Sequence, residues 1–325
     1  MNISLLGAFL SLFIGLSIPL MLIAYGGMFT ERAGVSDIAI EGIVIIGALV
    51  GLLVGYSLEG AVSSGFSSQL AVLIAIICAG IGGGIFSILL GLAVKRFHVN
   101  QNIVGIALDI IAPMLFAILV FDINGEAEIS ILTYSAIAPS SVGLSSLSTD
   151  SFLYSLLFTS LNQLGVLLIV ILIAISSFVI YKSKFGFRLD ACGKNPSAAR
   201  SLGINVNGTL FGGVVTGGIL AGIGGFVYVL IAFTVFNGEA AGIGFIALVI
   251  MIFGKWKPGK IILASLLFSF FISISIYASS ISWLPSFSGM ENGYAIYKLL
   301  PFLVAIIVLI FNSKTEMVSD RKKVK

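Results

Sequence analysis

GGMFTERAGVSDIAIEGIVIIGALVG, residues Gly26–Gly51, places two acids inside the apolar run that follows Gly34. Asp37 and Glu41 are four residues apart, which on a continuous helix puts both on one face. The helix it predicts is short and interrupted by glycine. A counterpart lies late in the chain: FNGEAAGIGFIALVIMIFGKW, residues Phe236–Trp256, is equally glycine-rich and carries Glu239 near its start. An ionisable group at membrane depth is costly unless it faces a wet cavity or a partner, and broken helices in two inverted halves mark a transport pathway. Asp37, Glu41 and Glu239 are therefore pathway candidates. For Asp37 and Glu41 the alternative is helix capping or a position at headgroup level.

The composition around these segments is that of a membrane protein. Of 325 residues, 58% are hydrophobic and 10% charged, with 38 Gly, 25 Phe and a mean hydropathy of +1.17. Soluble domains carry about a quarter charged residues, so a water-soluble globule is excluded. A net charge of +3 and so few charged residues also exclude a disordered scaffold and a nucleic-acid binder. The two cysteines, Cys78 and Cys192, offer no disulfide framework or CxxC metal site and are expected to be structural thiols.

A bilayer core of about 30 Å requires roughly 20 apolar residues per helix. Nine such runs occur, at Ser4–Gly27, Asp37–Tyr56, Gln69–Val94, Asn102–Phe121, Leu161–Tyr181, Gly208–Phe236, Gly238–Phe253, Ile261–Ile281 and Lys298–Phe311. The fold class expected is an all-α integral membrane protein with about nine transmembrane helices (eight to ten), inverted-repeat-like, with two short broken helices. Residues 151–159 are a possible short interfacial helix. The first run lacks a basic leader and a small-residue cleavage pattern and reads as a span, not a signal peptide. Residues 1–313 are expected to form one polytopic transmembrane domain and 314–325 a basic cytoplasmic tail.

Charge asymmetry orients the chain. With the C-terminus inside, 16 of the 17 basic residues fall on the cytoplasmic side, leaving only Lys298 outside with Glu59, Asp122, Glu126, Glu128, Asp150 and Glu291. N-out, C-in follows. In the fourth run Asp109 precedes Pro113 by four residues, which predicts a kinked helix with a polar inner face. Gln101 and Asn102 stand at its cytoplasmic mouth; Asp109 is either a pathway residue or an interhelical hydrogen-bonding group. Gly47, Gly51 and Gly55, and the Gly208–Gly222 series, recur at four-residue spacing and predict close helix contacts in lipid. The pentapeptide AGIGG occurs twice, at Ala79–Gly83 and Ala221–Gly225.

The cytoplasmic stretch 182–207 contains punctuation for a two-turn helix: Asn195 as N-cap, Pro196 at the first position and Gly203 beyond the end. Ala198, Ala199 and Leu202 share an apolar face. A helix this short is marginal alone, so it either docks into a groove on a partner or lies on the headgroups.

Taken together, the Gly26–Gly51 stretch, the loop FGFRLDACGKNPSAARSLGINVNG and the late segment GIGFIALVIMIFGKWKPGKIILASLLF resemble the permease subunits of bacterial ABC importers in the branched-chain amino acid and ribose permease group, most closely the nucleoside-importer permeases. Asp37 stands where that pattern often has Asn, and Ser36 and Ala39 also differ. The resemblance implies a multi-pass subunit of the bacterial cytoplasmic membrane, paired with a second permease subunit, two ATPase domains and an extracytoplasmic substrate-binding lipoprotein. It also puts Gly193 and the Asn195–Gly203 helix at the ATPase-coupling position, and implies translocation of nucleosides. Branched-chain amino acids or sugars are the alternative cargo. An ion-coupled secondary transporter is the alternative class, although it has no need of a docking helix.

The chain itself carries no signature of catalysis. Gly193 and Lys194 are followed by Asn195, with Arg188 five residues before Gly193, so there is no phosphate loop and ATP with its Mg is expected on the partner ATPase. His98 is the single histidine, HExxH and GxSxG are missing, and neither a metal nor an enzymatic activity is expected.

Overall fold

The computed structural model describes residues 3–63, 68–97, 99–131, 163–278, 295–308 and 310. Possible interfacial residues 151–159, loop acids Asp150 and Glu291, His98 and the basic tail lie outside them. The described residues fold into α1 (Ile3–Arg32), α2 (Ile40–Ser63), α3 (Ser68–Lys95), α4 (Gln101–Asn124), β1 (Ile129–Ser130), α5 (Gln163–Lys182), α6 (Lys184–Lys194), α7 (Pro196–Ser201), α8 (Val206–Ala232), β2 (Val235–Phe236), α9 (Ile243–Phe253) and α10 (Pro258–Tyr277). A 3₁₀ turn, Ala295–Leu299, then opens a short apolar helical stretch, Ile296–Val308. Six of these helices are long and apolar enough to cross a membrane, or seven if α5 and α6, bent by 64°, form one span. The seventh predicted run departs from expectation: only the 11 residues of α9 are helical, about 16 Å and half a bilayer core.

α8 is the centre of the bundle. Its glycines let three helices approach it at backbone distance, because lipid supplies no hydrophobic drive and close packing must do the work. A Cβ on Gly217 would meet the Gly26 carbonyl of α1, one on Gly225 the Val44 backbone of α2, and one on Gly222 the Ala79 carbonyl of α3. The two AGIGG copies pack on each other here: Gly83 lies against Gly218 and Gly222. α4 is the least covered of the six long helices and turns Ile103, Ile106, Ile110, Met114, Ile118 and Phe121 outward.

The basic stretches gather at one end of the bundle. Arg32, Lys194, Lys255 and Lys257 line one cavity of about 500 Å³. The Ser36 amide donates to Gln101 Oε1 at 3.1 Å, which brings the turn after Lys95 alongside. At the opposite end β1 and β2 pair antiparallel, Ile129 with Phe236, and the Phe236 ring meets Phe116 edge-on at 5.0 Å. This small sheet ties the end of α4 to the end of α8. The chain then turns back into the bundle to start α9.

Candidate functional site

Helix N-termini leave backbone amides without intrahelical acceptors, and inside a bundle those amides need partners. α9 begins at Gly242 with no capping side chain of its own. Its cap comes from across the bundle: Glu41 Oε1 accepts from the Gly242 amide at 2.9 Å and Oε2 from the Gly244 amide at 2.5 Å. α2 is served in the same way, the Gly42 amide donating to Asp109 Oδ1 of α4 at 2.7 Å. Each helix start carries the equivalent of about +0.5 charge, so the two carboxylates neutralise two positive ends that meet head to head. Gly244 lacks a Cβ for a steric reason: one there would lie 2.6 Å from Glu41 Oε2.

The height of this node follows from helix geometry. Asp109 is eight residues into α4, about 12 Å from its basic end, and α9 rises about 16 Å from its own basic end, so both place the acids near mid-depth of a core of about 30 Å. Asp37 is fully buried beside Thr30, and neither of its oxygens makes a hydrogen bond of normal geometry among the described residues. It precedes the first turn of α2, in the non-helical segment after Gly34, so the expectation that Asp37 and Glu41 share one helical face is corrected. Asp109, which takes the Gly42 amide next to Glu41, and Asp37, four residues before Glu41, make one cluster of acids around the start of α2. Asn102 and Glu239 are exposed and stand apart from it. Asn102 lies in the first turn of α4; Glu239 precedes α9, its amide bonded to Asn237 Oδ1 at 3.1 Å.

At the basic end, Glu31 and Arg32 grip Trp256, the third residue after α9. Trp256 Nε1 donates to Glu31 Oε2 at 2.5 Å, and Arg32 Nη2 donates to the Trp256 carbonyl at 2.6 Å. Arg32 Nη1 also pairs with Asp190 of α6 at 3.0 Å. Gly193 packs on the Arg32 carbonyl, where a Cβ would overlap it. Among the described residues the non-glycine positions with positive φ are Ala241 (55°), Lys255 (51°) and Trp256 (53°), all flanking α9. A Cβ-bearing residue in that region costs about 1–2 kcal/mol, which these hydrogen bonds offset.

The 182–207 stretch is more ordered than a loop with one short helix. α6 fills its first half, capped by Ser183 Oγ, which accepts from the Gly186 amide at 3.1 Å. α7 follows as the punctuation predicts: Pro196 opens it, Asn195 Oδ1 accepts from the Ala198 amide at 3.1 Å, and Gly203 takes φ 76°. The apolar face of α7 is divided. Ala199 packs inward with Cys192 and Val206, whereas Ala198 and Leu202 are exposed, Leu202 at 80%.

Glu31, Trp256, Asp190, Gly242 and Gly244 were not reached by sequence reasoning. Their partners lie 158 to 225 residues away, beyond any local spacing. A second cavity of about 530 Å³ abuts the start of α9, lined by Tyr228, Phe233, Phe302, Ser275 and Lys298 among others.

Two relatives align with nine-tenths of the chain and a third with part of it. The chain is 33% identical over 296 residues to a nucleoside ABC transporter permease protein of Lactococcus lactis subsp. cremoris, covering 90% of this chain and 88% of that one. It is 31% identical over 292 residues to a guanosine ABC transporter permease protein of Bacillus subtilis, covering 90% and 87%. A different nucleoside ABC transporter permease protein of the same Lactococcus is 33% identical over 121 residues, 37% of this chain and 33% of that one. Residues 9–309 match the family model described as branched-chain amino acid transport system / permease component, and the chain belongs to that family.

Proposed function

We propose that this chain is the transmembrane permease subunit of an ATP-driven importer that moves nucleosides across the bacterial cytoplasmic membrane. The observation that carries the reading is its similarity, across nine-tenths of its length, to permeases named for nucleosides and guanosine. Its own geometry suits the role. A half-length helix starts at mid-depth beside buried carboxylates, and an aromatic-lined cavity with Ser275 and Lys298 at its wall abuts that start. A neutral solute rich in hydroxyls and ring donors needs such an apolar cavity with few polar groups. Nine spans with the N-terminus outside and α6–α7 inside complete the topology. ATP and its Mg belong to a separate ATPase subunit docked at Gly193 and the Asn195–Gly203 segment. The other partners are a second, different permease subunit and an extracytoplasmic substrate-binding lipoprotein, and the existence of a second nucleoside permease protein in Lactococcus supports a heterodimer. Asp37, Glu41, Asp109, Asn102 and Glu239 line or border the route.

The family description favours one other cargo, branched-chain amino acids. Uptake of tritiated guanosine and of tritiated leucine, by cells with and without the chain and its neighbouring subunits, separates the two. Guanosine uptake that needs the chain and ceases on ATP depletion is the expected result, and leucine uptake in its place overturns the nucleoside reading.

A further inference from the structure

α9 is held at both ends by residues of other helices, and the backbone is strained at both joints. At mid-depth Glu41 of α2 takes the Gly242 and Gly244 amides, next to Ala241 at φ 55°. At the basic end Glu31 and Arg32 of α1 hold Trp256 by its indole N–H and by its carbonyl, next to Lys255 at φ 51°. The same Arg32 is paired with Asp190 of α6, which runs through Asn195 directly into the exposed α7. The contacts therefore form one unbroken series, in which Glu31 and Arg32 together hold Trp256: α7, α6, Asp190, the Glu31–Arg32 pair of α1, Trp256, α9, Gly244, Glu41.

We infer that α9 is a strut between the ATPase-docking segment and the buried acids, and that Glu31 and Arg32 are the positioning residues that join α6–α7 to it. The inference rests on the permease reading above. Three turns of apolar helix transmit a displacement lengthwise, and dihedral change falls on the residues flanking the helix, which is where the non-glycine left-handed conformations of the described residues occur. A shift of α6 moves Arg32 through a charge-assisted hydrogen bond, and Arg32 moves Trp256. Because Glu41 sits in the first turn of α2, displacement of α9 displaces the start of α2 as well. The warrant is this set of direct contacts, each of which can be broken singly.

The test uses the complete importer, with both permease subunits, ATPase and binding protein, reconstituted in lipid vesicles, and reads guanosine taken up per ATP hydrolysed. Trp256→Phe removes only the indole donor, Glu31→Ala removes the acceptor, and Glu31→Gln keeps one. Trp256→Phe and Glu31→Ala should assemble and hydrolyse ATP yet deliver about tenfold less guanosine per ATP, with the double variant no worse than either single. Glu31→Gln should stay near wild type. Unchanged guanosine per ATP in Trp256→Phe and Glu31→Ala overturns the strut, as does a parallel loss of hydrolysis and uptake that leaves the ratio intact. A wild-type complex with no ATP-dependent guanosine uptake instead overturns the permease reading, and the strut with it.

Discussion

The Gly244 amide donates to Glu41 Oε2 at 2.5 Å across 203 residues of sequence, and this one contact sets the starts of α2 and α9 against each other. Asp109 and Glu41 work in relay, each serving a helix other than its own. Asp109 of α4 takes an amide of α2, and Glu41 of α2 takes two of α9. Three helices are thereby registered at one depth without a basic side chain, the positive charge being supplied by helix ends.

Glu41→Ala leaves the Gly242 and Gly244 amides without an acceptor, a cost of about 1–3 kcal/mol for each buried group. Gly244→Ala forces a Cβ into the Glu41 carboxylate and separates the two helix starts. Both variants should lower the melting temperature of the purified permease in detergent. Glu41→Gln, which retains one carbonyl acceptor, should fall between them and wild type. A melting temperature for Glu41→Ala equal to that of wild type contradicts the capping role.

Asp109→Asn keeps a carbonyl for the Gly42 amide and replaces the carboxyl group beside the start of α2 by an amide that cannot ionise. Stability should stay within about 1 kcal/mol of wild type, the range of one exchanged hydrogen bond. On the proposed function, in which Asp109 borders the route, guanosine uptake should fall. Uptake at the wild-type rate in Asp109→Asn assigns the residue to capping alone.

What was legible in the sequence was periodic or punctuated. Apolar run lengths located the long helices, and Asn195, Pro196 and Gly203 bounded α7 to within a residue of where it lies. The spacing of Asp37 and Glu41 misleads because no helix runs through Gly34–Ala39, where the chain passes through turns and Gly34 has φ 91°. The Glu31–Trp256 and Glu41–Gly244 contacts were illegible for another reason. Nothing local in either partner encodes the other, and only the packing of α1 and α2 against α9 brings them together.

Leu202 and Ala199 should respond oppositely to substitution. Leu202 is the large apolar side chain that α7 leaves exposed, so Leu202→Glu should preserve the permease and weaken its co-purification with the ATPase. Ala199 is packed on Cys192 and Val206, and Ala199→Glu buries a carboxylate there, lowering the amount of folded permease in the membrane. Intact ATPase binding by Leu202→Glu removes Leu202 from the docking face.

The sidedness of the bundle can be read by cysteine labelling. Lys and Arg near span ends are retained in the cytoplasm, and 16 of 17 fall on one side of the expected topology. The structure draws Arg32, Lys194, Lys255 and Lys257 around one cavity, and carries Glu126 and Glu128 at the far end, next to β1. In a background with Cys78 and Cys192 replaced by Ala, which keeps Cys192's site small and apolar, Glu126→Cys and Ser197→Cys each present one exposed thiol. An impermeant maleimide added to intact cells should label Glu126→Cys, and should reach Ser197→Cys only after the membrane is permeabilised. Labelling in the reverse order would put α6–α7 outside, where no ATPase could dock, and the import mechanism would fall with the topology.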